Sequence, residues 1–152
     1  MTHTNLHKNI GQALIEFGII TENQFETAMM YLGNADNRIS KSLVELGFIS
    51  EEKLTEILSK KLNLPSLALD SMEINPDVTK LLPFDLARRC SSVPVLLLGN
   101  TLTIATDDPL DTTTLNEISS HTHKEIRIAV APLTEIQKAL DKYQCNMITG
   151  NR

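Results

Sequence analysis

Two stretches decide the fold. Asn9–Glu22 reads NIGQALIEFGIITE, and Arg38–Glu51 reads RISKSLVELGFISE. They align without a gap at an offset of 29 residues. Ile10/Ile39, Leu14/Leu43, Glu16/Glu45, Gly18/Gly47, Ile20/Ile49 and Glu22/Glu51 are identical, and Ile15/Val44 and Phe17/Leu46 are conservative. A fixed period that preserves apolar spacing and glycine together is the mark of a duplicated structural unit.

Each unit reads as a helical hairpin. Ile10, Leu14 and Phe17 fall at i, i+4 and i+7, one face of a short helix. Gly18 follows where a left-handed residue stops a helix. Thr21 then caps a second helix, and Gln24 three residues on completes a capping box. That helix should bury Phe25, Met29 and Leu32, with the Met29-Met30 pair in core positions. In the second copy Gly47 is the stop, Ser50 the cap, and Leu54, Ile57 and Leu58 the apolar stripe. Four helices over about residues 9–62 are expected, ended by Pro65, since the residue before a proline is driven out of the helical region.

Beyond Pro65 the period changes. Asn75-Pro76 pairs a cap with proline at the first helical position, opening a short helix to about Leu82. FDLARR (84–89) adds a turn or two. Val93–Leu98 and Thr101–Thr106 flank Gly99-Asn100 as a hairpin. A helix over 110–120, a strand over Glu125–Ala131 and a helix over Leu133–Tyr143 follow. The order β–β–α–β–α implies a three-stranded mixed sheet with one βαβ crossover. The expected architecture is α+β. A lobe of two tandem hairpins fills 1–65 (repeats about 9–32 and 38–61), a small α/β lobe 66–145, and a frayed, patternless tail 146–152.

Composition excludes several functions. The chain has 152 residues, is 41% hydrophobic and 22% charged, and carries a net charge of −5 with no basic stripe. With aromatics at 4%, neither DNA nor RNA binding is expected. No apolar run approaches the roughly 20 residues that cross a bilayer, and the N-terminus has no apolar signal core. A cytoplasmic protein without direct membrane insertion is expected. Cys90 and Cys145 form no disulfide framework and lack metal-ligand spacing.

Nor do the usual catalytic motifs occur: there is no GxxxxGK[ST], GxGxxG or GxSxG. No enzymatic activity, catalytic residue, metal or cofactor is expected. Asp107, Asp108 and Asp111 form an acidic cluster that reads either as a metal or acid–base site or as a strand-to-helix turn with a capping aspartate, the commoner use. His121 and His123 read as a polar loop, and Cys90 beside Arg88 and Arg89 as a structural cysteine.

The repeat and the segment LTIATDDPLD (102–111) resemble the N-terminal domain of type II secretion and type IV pilus assembly ATPases, the MshE N-terminal domain. The resemblance covers about residues 8–143. In that family two tandem copies of a motif, Arg-Leu-Gly followed by spaced aliphatics and a second glycine, can bind cyclic di-GMP. Carried over residue by residue, the resemblance implies Ile10, Gly11, Leu14, Ile15, Arg38, Ile39, Leu43 and Val44 as ligand-binding positions, with Asp108 contributed by the second lobe. This chain departs from the family at Asn9 for arginine, Ser40 for glycine, and Leu32 and Lys61 for glutamine. Asparagine supplies neither the charge nor the planar fork of an arginine. The resemblance therefore implies either a cyclic di-GMP sensor with a degenerate motif or a docking module for a protein of a secretion or pilus machinery. Family members usually carry a separate ATPase module downstream, of which these residues hold no motif. The expectation is a stand-alone domain or a fragment, the patternless tail favouring a natural end.

Overall fold

The computed structural model describes residues 10–32, 39–110 and 112–149. Asn9, Arg38 and Asp111, on which part of the sequence reading rests, lie outside the described residues, as does the side chain of Leu32.

The two units fold alike. Helices α1 (residues 10–16) and α2 (Glu22–Leu32) form the first hairpin, α3 (Ile39–Glu45) and α4 (Glu51–Leu62) the second. Gly18 and Gly47 take φ of 77° and 80°, a region that glycine enters without a Cβ penalty. Their surroundings match bond for bond. The Gly18 N–H donates to Ile15 O and Ile19 N–H to Leu14 O; Gly47 donates to Val44 O and Phe48 to Leu43 O, all at 2.9–3.0 Å. These 5→2 and 6→1 bonds are the Schellman closure of a helix end. The capping box also forms, with Gln24 N–H on Thr21 Oγ1 (3.1 Å) and Thr21 N–H on Gln24 Oε1 (2.9 Å). In the second unit Ser50 Oγ accepts from Lys53 N–H at 3.1 Å.

The buried set repeats as well. Ile10, Leu14 and Ile20 share one core with Ile39, Leu43 and Ile49. Phe25 and Met29 are half-buried against it, and Ala28, which the apolar spacing passed over, is fully buried. α4 ends at Leu62 because Asn63 turns left-handed, φ 55°, two residues before Pro65.

The α/β lobe holds a 3₁₀ turn (Leu69–Ser71), α5 (Pro76–Thr79), α6 (Phe84–Cys90), β1 (Ser92–Leu98), β2 (Thr101–Thr106), α7 (Thr112–Thr122), β3 (Glu125–Val130) and α8 (Leu133–Thr149). Strand order is β1-β2-β3, with β1–β2 antiparallel and β2–β3 parallel. Only Gly99 of the two turn residues has positive φ (61°), as a II′-type hairpin requires. Pro94 is tolerated because β1 is an edge strand and its register shifts between Pro94 and Leu96. One face of the sheet packs Leu102 and Ile104 against Leu86 of α6 and Ile136 and Leu140 of α8.

Two sequence boundaries are corrected. α5 stops at Thr79 rather than Leu82, since Leu81 and Leu82 make i→i+3 bonds to Val78 and Thr79 and Pro83 blocks continuation. Residues 146–149, expected in a frayed tail, are helical: α8 runs to Thr149, and the sequence offers no glycine or proline between its start and Gly150.

A Cβ at Gly18 or Gly47 would meet nothing within 4 Å, so any cost of adding one is conformational. Gly18→Ala and Gly47→Ala should each lower stability by about 1–2 kcal/mol in urea denaturation, with no change in slope. Glycine to asparagine should cost less, because asparagine tolerates the left-handed region.

Candidate functional site

The starts of α1 and α3 are where the family motif would present ligand contacts. Ile10, Leu14, Ile39 and Leu43 have no exposed surface at all. As the helices stand these four shape the site from below and touch nothing outside the protein. Ile15 and Val44 are half-buried.

Gly11 is a packing glycine. A Cβ there would sit 2.0 Å from Cε1 of Phe25, so α1 and α2 can approach only because the side chain is missing. The ring occupies the space that a side chain at position 11 would take. Its counterpart Ser40 lines a small cavity together with Leu54, the residue that matches Phe25 at the 29-residue offset. Ser40 is 2% exposed and donates its hydroxyl to Asp107 Oδ2 at 2.8 Å, across the seam between the lobes. A serine at this place therefore ties the second hairpin to the loop after β2.

That loop docks on the helical lobe at one further point, Leu110. Asp108 is 5% exposed; its N–H donates to Thr106 Oγ1 (3.2 Å) and its Oδ1 accepts from Leu110 N–H (3.1 Å). This Asx-type turn sets the direction of Leu110, which packs against the helical core. Of the readings open for the acidic cluster, the turn describes Asp108. Beside the Ser40–Asp107 bond, Val44, Leu54, Thr55 and Leu133 enclose a cavity of about 10 Å³, room for one water. Among the described residues no three His, Cys, Asp or Glu side chains stand together as metal ligands.

Glu51 makes a second tie. Its carboxylate accepts the Thr134 N–H at 2.7 Å and also the Thr134 hydroxyl, in the first turn of α8. A carboxylate there satisfies an otherwise orphaned N–H and complements the positive end of the helix. Glu22, the equivalent residue of the first unit, is exposed.

The units touch each other reciprocally, the end of each second helix meeting the end of the other unit's first. Tyr31 of α2 donates its hydroxyl to Glu45 Oε1 of α3 at 3.0 Å. The Glu45 carboxylate holds that phenol above its ordinary pKa. Lys61 of α4 places Nζ 5.6 Å from the centre of the Phe17 ring at the end of α1. Lys61 stands at a position where the family motif has glutamine, and here it makes a cation–π contact. Elsewhere, Arg89 forms a forked ion pair with Glu117 (2.7 and 3.1 Å), Cys90 is buried, and His123 closes α7 with φ 59°.

The duplicated hairpin lobe is thus tied at its second unit to a three-stranded α/β lobe. The MshEN domain matches residues 62–148, from the end of α4 almost to the end of α8. The chain belongs to the MshEN domain family. It is 31% identical over 134 residues to the type IV pilus assembly ATPase PilB of Myxococcus xanthus, and 27% over 117 residues to PilB of Thermus thermophilus. These alignments take in 88% and 76% of this chain but only 24% and 13% of the two relatives. A solved structure of MshE with cdg (cyclic di-GMP) superposes with a TM-score of 0.66 at 31% identity, covering 88% of this chain and 96% of the other. The N-terminal domain of XpsE shares the fold at 19% identity, with a TM-score of 0.67 over 91% of this chain and 95% of that one.

Two stability measurements check the site. Gly11→Ala should lose about 1–3 kcal/mol by overpacking, and adding Phe25→Leu should recover part of that loss, a coupling that a double-mutant cycle reads directly. Asp108→Ala should cost about 1–3 kcal/mol by leaving the half-buried Leu110 N–H without its acceptor. An unchanged melting temperature for Asp108→Ala would assign that carboxylate to ligand contact instead.

Proposed function

We propose that this chain is a non-enzymatic, cytoplasmic binding module that takes cyclic di-GMP across its two helical hairpins, weakly and through Arg38. The observation that carries this reading is the likeness to MshE with cdg, which spans both lobes at 31% identity. The matched Schellman ends and reciprocal contacts of the hairpins support it physically. A ligand made of two equal halves suits two equal units, each offering similar groups. Arg38 provides one fork for a phosphate or guanine; Asn9 provides none. A cytoplasmic location goes with relatives named as ATPases, since their nucleotide is held there.

A second reading rests on the Ser40–Asp107 bond. It fills the start of the second unit with a contact between the chain's own lobes, as would suit a domain that holds no nucleotide there and only docks other proteins of a secretion or pilus machinery.

Isothermal titration calorimetry with cyclic di-GMP separates the two. One charge-assisted contact is worth about 1.5–3 kcal/mol, so Asn9→Arg should tighten binding by about ten- to a hundredfold. Arg38→Ala should abolish it. Tight wild-type binding that survives Arg38→Ala would place the site elsewhere, and no heat from either wild type or Asn9→Arg would leave the docking reading.

A further inference from the structure

A second cavity lies in the α/β lobe, between the 3₁₀ turn, α5 and α8, away from the hairpin starts. Its volume is about 80 Å³, roughly half that of an engineered cavity that admits benzene. Leu69, Met72, Ile74 and Ala139 give it apolar walls.

Tyr143 forms part of the lining and is only 3% exposed. Its ring stands edge-on to Phe84 at 5.5 Å, which fixes the phenol in place. Its hydroxyl has no hydrogen-bond partner among the described residues, and burial alone pushes its pKa up to about 12. The hydroxyl is reachable by a water-sized group, so it is a donor open to whatever fills the cavity.

The charges around the cavity point to the same kind of ligand. Of its two acids, Glu135 already accepts the Leu69 N–H at 2.8 Å, and Asp70 faces Lys138 at 3.9 Å. Lys142, one turn along α8 from Lys138, makes no ion pair among the described residues. One neutral donor, Tyr143, and one exposed cation, Lys142, both on α8, thus stand at the cavity beside its apolar walls.

We infer that this cavity is a binding site for a carboxylate on a short apolar stem, with Tyr143 and Lys142 as its donors. The stem replaces water against Leu69, Met72, Ile74 and Ala139, and the carboxylate accepts from the phenol and the ammonium. The phenol stays protonated over the whole physiological range and so remains a donor. Two sources present this chemistry: a free short-chain carboxylic acid, or a glutamate side chain of a partner polypeptide.

Amide NMR of the ¹⁵N-labelled chain tests this with butyrate, n-butylamine and a blocked peptide carrying one internal glutamate between small residues. Butyrate or the peptide should give saturable shifts centred on Ala139, Lys142 and Tyr143, while n-butylamine, with the same stem and opposite charge, should not. Saturation by butyrate assigns the free acid as source, and saturation by the peptide alone assigns a partner chain. Tyr143→Phe and Lys142→Gln should each weaken binding by about tenfold or more. Lys142 is exposed, so Lys142→Gln tests the site even if the tyrosine variant folds poorly. The inference fails if neither carboxylate saturates the site, if n-butylamine shifts the same amides equally, or if both variants bind like wild type.

Discussion

Val130 holds the two lobes to one another. Its backbone is the last rung of β3, paired with Thr106 of β2, and its outer edge receives the chain leaving α4. Val130 N–H donates to Pro65 O at 2.8 Å, and Val130 O accepts from Leu67 N–H at 2.9 Å. Its side chain, 1% exposed, belongs to the core of the helical lobe rather than to that of its own sheet. One residue thus spends its backbone on the sheet and its side chain on the hairpins. The linker is consequently bridged to the sheet edge at Ser66, and the seam formed by Ser40–Asp107, Glu51–Thr134 and Leu110 is built around it.

Duplication has produced equal frames with unequal contents. Helix stops, caps and buried aliphatics repeat because they answer to the chain's own geometry, which is the same in both units. Position 11 and its counterpart 40 differ because their neighbours differ. Phe25 excludes any side chain at position 11, whereas at position 40 Asp107 supplies a partner for a serine hydroxyl. The exchange of glycine for serine is therefore matched by a carboxylate that accepts the new hydroxyl. What the family pattern alone presents as a lost ligand contact is, in the folded chain, a gained contact between lobes.

The parts of this fold legible in the sequence are those whose cause is local. Gly18 and Gly47 could be read as stops, Thr21 and Gln24 as a box, and Gly99-Asn100 as a hairpin, because each acts within a few residues. The βαβ order likewise announces a mixed sheet. What could not be read depends on residues far apart in the chain. Nothing near Glu51 shows that it caps a helix 83 positions later, and its identity with Glu22 suggested that the two would behave alike. The apolar spacing marked Ile10, Leu14, Ile39 and Leu43 correctly as one face. Whether such a face meets a ligand or a core is settled only by what packs on it, and here it is the core. Tyr143 gave no signal either, since it ends an ordinary amphipathic stripe until the 3₁₀ turn folds over it.

The asymmetry of the seam constrains how the domain can respond to anything it binds. Among the described residues it is the second unit that reaches across to the α/β lobe through polar side chains, Ser40 to the loop after β2 and Glu51 to the first turn of α8. Glu22 faces solvent, and Gly11 has no side chain to extend. A ligand spanning both hairpins therefore acts on the α/β lobe through the second. It can shift that lobe only by as much as it prefers one placement of α3 and α4 over another. Both ties are hydrogen bonds to carboxylates, one buried and one at the surface, and each is individually modest in net free energy. Val130 and Leu110 meanwhile keep the apolar contact between the lobes in place. The seam thus combines an apolar pivot with two polar ties, an arrangement in which exchanging a tie costs far less than separating the lobes.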